Sequence, residues 1–145
     1  MNLSYESKCQ IRDEWNELGF YYQIDKYNKH WIFHLNKEGL RKFCELINEF
    51  TDNYSNDQIG EHDHYGPYMY FKLVVMDKLI INEDCIGGKN EDLKLLAEFI
   101  SDELKEKGSG EYVLNEGLLK DTEYKLKFVV KDENFRPGTM DDQIN

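Results

Sequence analysis

The sequence predicts an α+β fold: an antiparallel or mixed sheet with two helices packed on one face, produced by internal duplication of a strand-helix-strand unit. Three observations carry this expectation. The segments 37–51 and 91–107 repeat apolar residues at helical spacing, whereas several other segments alternate apolar and polar residues as strands do. A fixed shift of 53 positions lays the first helix over the second without a gap. The 145 residues, 40% apolar and 14% aromatic with two prolines, suit a single folded domain over 1–132, with repeat halves at about 20–76 and 78–131.

The elements follow in order. Ile11 to Leu18 reads as either a short helix or irregular chain. Phe20 to Asp25 and His30 to Leu35 alternate and are separated by Lys26-Tyr27-Asn28-Lys29, a hairpin pattern. Asn36 is placed to cap a helix whose buried stripe is Leu40, Phe43, Cys44, Ile47 and Phe50. Tyr68 to Met76 and Leu79 to Ile86, joined across Asp77-Lys78, predict a second hairpin. Asn90 then caps a helix with Leu93, Leu96, Ala97, Ile100 and Leu104 inside. Glu91 and Asp92 in its first turn and Lys105 and Lys107 in its last complement the helix dipole, and Gly108 stops it. Glu111 to Leu114 can add a strand. In the last strand Tyr124, Leu126, Phe128 and Val130 point one way, and Lys125 and Lys127 the other. Residues 133–145, with Pro137-Gly138 and no periodicity, read as a flexible acidic tail.

The repeat aligns Glu38–Glu49 with Glu91–Asp102, four of twelve positions being identical, and the same shift places Phe71-Lys72-Leu73 on Tyr124-Lys125-Leu126. With both helices on one face of the sheet, the opposite face is where binding is expected. It would carry Lys72, Lys125, Lys127 and many of the tyrosines.

Composition narrows the function classes. A net charge of -11 argues against nucleic acid or an anionic membrane as ligand, since phosphate contacts need Lys and Arg. A basic protein is the natural complement, the alternative being that the charge serves solubility alone. No apolar run approaches a membrane span and the N-terminus lacks a signal-peptide pattern, so a cytoplasmic address is expected. Cys9, Cys44 and Cys85 are odd in number and lack Cys-x-x-Cys spacing, which marks them as reduced thiols, with Cys44 and Cys85 in the core.

The densest titratable cluster is Gly60 to Tyr68. In an extended chain His62 and His64 point to the same side, so with Glu61 or Asp84 they could hold zinc and activate a water. The other readings are structural, with Gly66-Pro67 opening a strand, or recognitive, with His and Tyr offering flat contact area. Cys44 lies on an apolar stripe and suits an inert thiol. Gly87-Gly88 lacks the remaining residues of a phosphate loop, and Glu83-Asp84 and Asp141-Asp142 are pairs that any acidic chain contains. No cofactor, resident metal or catalytic residue is expected.

The stretch Glu61-His-Asp-His-Tyr-Gly-Pro-Tyr-Met-Tyr70, followed by an apolar strand and Ile86-Gly-Gly-Lys-Asn-Glu-Asp-Leu93, resembles the small bacterial immunity proteins encoded beside polymorphic or contact-dependent toxins. The resemblance implies a role and no active site: a non-enzymatic inhibitor of a cognate toxin. The candidate partner contacts, read from the residues themselves, are Glu61, His62, Asp63, His64, Tyr65, Tyr68 and Tyr70 together with the exposed sheet face, in a monomer or homodimer that meets a basic partner. A metal-dependent hydrolase using His62 and His64, or a structural or regulatory homodimeric subunit, are the alternatives.

Overall fold

The computed structural model describes residues 2–145. It is α+β, with three helices lying against two mixed four-stranded sheets. The order is α1 (Tyr5–Leu18), β1 (Phe20–Asp25), β2 (His30–Leu35), α2 (Lys37–Asn53), β3 (His62–Tyr65), β4 (Phe71–Val75), β5 (Ile80–Ile81), β6 (Ile86–Gly88), α3 (Asn90–Leu104), β7 (Gly110–Leu114) and β8 (Lys125–Val130), with short 3-10 turns at Gly117–Leu119 and Pro137–Met140. No helix among the described residues is long and apolar enough to cross a membrane.

Sheet A runs β1-β2-β8-β7 and sheet B runs β3-β4-β6-β5. In each, a parallel central pair, β2 with β8 or β4 with β6, is flanked by antiparallel neighbours. The chain therefore exchanges hairpins: each sheet takes one pair of strands from the N-terminal half, β1-β2 or β3-β4, and one from the C-terminal half, β8-β7 or β6-β5. The hairpin expected across Asp77-Lys78 does not form. β4 pairs with β3 and β6, and β5 pairs with β6 alone. Gly87 makes room for this, because a Cβ there would stand 2.7 Å from Met76 Cγ and 3.1 Å from the Val74 carbonyl oxygen of the adjoining strand.

The element order strand-strand-helix-strand-strand recurs in the two halves, but the duplication is not confirmed. The 53-residue shift carries Phe33 to Ile86, and the strands those residues pair with relate Phe128 to Leu73, not Leu126 to Leu73. The strands have slipped by two residues, which keeps the same side chains facing inward.

Asn36 caps α2, accepting from Gly39 N at 2.9 Å. Asn90 does not cap α3, whose N-cap is Lys89 without a side-chain bond. Its amide instead donates to the Thr51 and Tyr54 carbonyls at 3.1 and 2.7 Å, closing the end of α2, while Asn56 accepts from Asn90 N at 2.8 Å. Lys37 Nζ donates to the last carbonyls of α3, Leu104 and Lys105, in keeping with the helix dipole. The undecided N-terminal segment is a full helix, capped by Ser4 and stopped by Gly19 at φ 93°. Residues 133–145 are not a frayed tail. Trp15 Nε1 and Tyr68 OH both donate to buried Asp141 at 2.9 and 2.6 Å, Ile144 is buried, and Gly138 N donates to Asn16.

The core joins both sheets and the helices. Phe33 packs edge-to-face or stacked against Phe20, Trp31, Phe43, Phe71 and Phe128. On the outer face of sheet A, His34 is almost fully buried between Tyr21 of β1 and Val129 of β8, with Gln23, Glu111, Lys127 and Lys131 nearby. Its Nε2 is 2.6 Å from Gln23 Oε1, so that nitrogen carries the proton and donates, and Nδ1 has no partner. Burial, then the charge of Lys131, pushes the imidazole down to about 4, against an opposing pull from Glu111. The folded protein thus binds this proton less readily than the unfolded chain. Stability should be full above about pH 6.5 and fall as pH drops towards 4, by up to about 3 kcal/mol. Urea titrations across this window should show that loss, and His34→Phe should remove it while exposed Gln23 turns to water; an unchanged pH profile in the variant would assign the effect elsewhere.

Candidate functional site

The site is the β3–β4 connection and the helical surface beside it. β3 is an edge strand, and its alternation sends His62 and His64 outward and Asp63 and Tyr65 inward. Asp63 accepts from Tyr54 OH at 2.7 Å. Tyr65 lies against Phe71, and burial raises its hydroxyl pKa. The histidine rings stand perpendicular with centres 5.0 Å apart.

After Tyr65 the chain reverses tightly. Gly66 adopts φ 88°, and a Cβ there would lie 2.6 Å from Tyr22 OH, so only glycine fits. Met69 is also left-handed at φ 60°, a conformation that costs an L-residue about 1 kcal/mol or more. What holds it there is the Tyr22 hydroxyl, reaching across from sheet A. It donates to the Tyr65 carbonyl at 2.5 Å and accepts from Tyr70 N and Phe71 N at 3.2 and 3.4 Å. From the other side Tyr68 is tied to Asp141, where burial and then the carboxylate raise its pKa. The consequence is a rigid base carrying an exposed tip: Met69 is 57% and Tyr70 69% exposed, and Tyr70 stacks on Tyr68.

Beside this tip runs an open groove of about 650 Å³. Glu14 and Glu17 of α1, Glu45 and Glu49 of α2, and His64 and Met69 of the loop line it. Arg41 pairs with Glu45 and with Glu38. Lys42, also at the groove, donates to the Glu17 carbonyl, the open end of α1. Among the described residues Glu14, Glu17 and Glu49 have no ion-pair partner, which leaves the groove locally acidic.

Of the residues singled out in the sequence, Glu61, His62, His64 and Tyr70 face solvent, and Asp63, Tyr65 and Tyr68 are half-buried. His62 and His64 come together, but neither Glu61 nor Asp84 joins them: no group of three His, Cys, Asp or Glu is placed to hold a metal among the described residues. The thiols are unremarkable chemically. Burial pushes Cys44 up to about 11 and raises Cys85. The groove glutamates escape sequence reasoning because α1 and α2 must first be set side by side, and nothing in the local spacing of Glu14 and Glu49 signals that.

No protein-family model, curated protein or solved structure matches the chain, so its function is argued from its own residues.

The Tyr22 hydroxyl gives a direct test of the site's construction. Tyr22→Phe leaves the ring in the core and strands the Tyr65 carbonyl and two amides, which should cost about 1–3 kcal/mol. Amide exchange at Tyr70 and Phe71 should accelerate well beyond the global change; uniform acceleration across the protein would show that the loop does not depend on this group.

Proposed function

We propose that the chain is a non-enzymatic inhibitor that binds and neutralises a cognate bacterial toxin, acting in the cytoplasm as an immunity protein. The observation that carries this reading is the pairing of an acidic groove with a rigid loop whose exposed Met69 lines it and whose exposed Tyr70 follows next in the chain. Three unpaired carboxylates suit Lys or Arg side chains of a basic cleft, and the net charge of -11 adds a field that speeds encounter with such a partner. Tyr70 and Met69 supply apolar contact area, and the tyrosine face suits an arginine. Because hydrogen bonds to Tyr22 and Asp141 already hold the loop, little conformational entropy is lost when it docks. The resemblance of the segments 61–70 and 86–93 to immunity proteins points the same way. The hydrolase alternative is less supported, since the two histidines lack the third protein ligand that catalytic zinc sites use.

The test is to sequence the genes flanking this one and to mix any toxic domain encoded there, purified, with the intact chain; flanking genes without such a domain count against the reading. Association should be tight and should slow as salt rises from about 0.05 to 0.5 M, because exposed charges are then screened within a few ångströms. Glu14→Lys with Glu49→Lys should weaken binding roughly tenfold or more, and Tyr70→Ala should raise the off-rate. Absence of association, or association indifferent to salt and to the charge reversals, would remove the reading.

A further inference from the structure

We infer that His62 and His64 form a bidentate site for a late first-row transition cation such as zinc, nickel or copper, independent of whether the chain binds a toxin. Three features support it. The two side chains leave the same face of β3 and both are exposed, so a hydrated cation reaches them freely. Their Nδ1 atoms each lie 3.0 Å from a backbone carbonyl, Gly60 for His62 and Met69 for His64. A carbonyl oxygen only accepts, so each Nδ1 carries a hydrogen and each neutral ring presents its lone pair at Nε2. An imidazole whose other nitrogen donates to a carbonyl is the outer-shell arrangement that orients histidine ligands and raises their basicity.

The third feature is metric. Two imidazoles sharing one tetrahedral cation through nitrogens at about 2.0–2.1 Å place their ring centres about 5 Å apart. The ring centres here are 5.0 Å apart. The carbonyls that fix the rings are themselves held: Gly60 N donates to the Val75 carbonyl at 2.8 Å, and Met69 closes the turn onto Gly66. The Met69 conformation thus serves the site, because it aims a carbonyl at His64. Imidazole nitrogen selects zinc, nickel and copper over magnesium and calcium, which prefer oxygen. With no third protein ligand among the described residues, water or a donor from another molecule completes the shell. Lys72 stands opposite His64 across the β3–β4 ladder and opposes the bound charge, which makes the site exchangeable.

Calorimetric titration of the intact protein with zinc in excess magnesium should give one equivalent per chain. His62→Ala and His64→Ala should each weaken it by at least the roughly tenfold that loss of an outer-shell partner costs. Lys72→Met should tighten it. In nitrogen-15 spectra of the wild type, zinc should shift the Nε2 signals of these two rings and leave their Nδ1 signals nearly in place. Binding no tighter than in the His62→Ala, His64→Ala double variant, displacement by magnesium, or shifts confined to other histidines would overturn the proposal. Toxin binding is read separately, so either conclusion stands or falls alone.

Discussion

Phe33 is the point at which both sheets and a helix close on one another. Its ring meets Phe128 on the neighbouring strand of sheet A, Phe71 from sheet B and Phe43 from α2. Each aromatic pair adds about 0.5–1.5 kcal/mol beyond the apolar area it buries. The arrangement depends on exchange of hairpins between the halves, because β8, the last strand, supplies the parallel partner of β2. The N-terminal half cannot bury Phe33 by itself: β1, β2, α2 and Phe71 of β4 cover part of the ring, and Phe128 arrives only with the last strand. Contacts of such long sequence separation carry a loop-closure cost before they stabilise anything, so the fold is expected to form cooperatively and not half by half.

The site inherits its rigidity from this core. Tyr22 is the next inward residue on β1 after Phe20; its ring packs on Trp15, Trp31 and Phe71, and only its hydroxyl reaches the loop. A buried hydroxyl without partners would be costly, and the loop backbone satisfies it. The same bonds offset the left-handed strain at Met69: three hydrogen bonds at about 1 kcal/mol each outweigh a conformational cost of about 1–3 kcal/mol, narrowly. Asp141 does the corresponding work on the far side, accepting from Trp15 and Tyr68 together. Core, C-terminal segment and β3–β4 loop are thereby one mechanical unit.

How much of this was legible in the sequence depends on how local the cause is. The β1–β2 hairpin and the two long helices are written in short-range periodicity and are found there, although α3 ends at Leu104, so that Lys105 and Lys107 lie beyond its last turn and Gly108 does not stop it. The β4–β6 pairing is not local. Tyr68 to Met76 and Leu79 to Ile86 look like a hairpin because they are adjacent, and only Gly87, which admits the Met76 side chain, hints that the strands run parallel. Asp141 gives the same lesson. Among polar neighbours it reads as tail, since its partners, Trp15 and Tyr68, lie more than seventy residues away. At the site, the His-x-His spacing was visible and its carbonyl partners were not, because the Met69 carbonyl depends on the turn that Tyr22 holds and the Gly60 carbonyl on a segment tied to Val75 of the next strand.

The same distinction decides where charge can act. Lys72, Lys125 and Lys127 do not share the one sheet face expected of them, since Lys72 lies on β4 of sheet B and the other two on β8 of sheet A, and two of the three are already engaged. Lys127 Nζ lies 2.7 Å from Glu111, and Lys125 Nζ donates to the carbonyls of Leu119, Lys120 and Thr122, where it closes a 3-10 turn. An ion already paired offers a partner little, since the existing pair must be broken before a new one forms. Glu14, Glu17 and Glu49 have made no such commitment, and they face the same groove. A net charge of -11 is a property of the whole surface; in this groove three carboxylates without an ion-pair partner are gathered beside Met69, so a basic group placed there gains an interaction without displacing one.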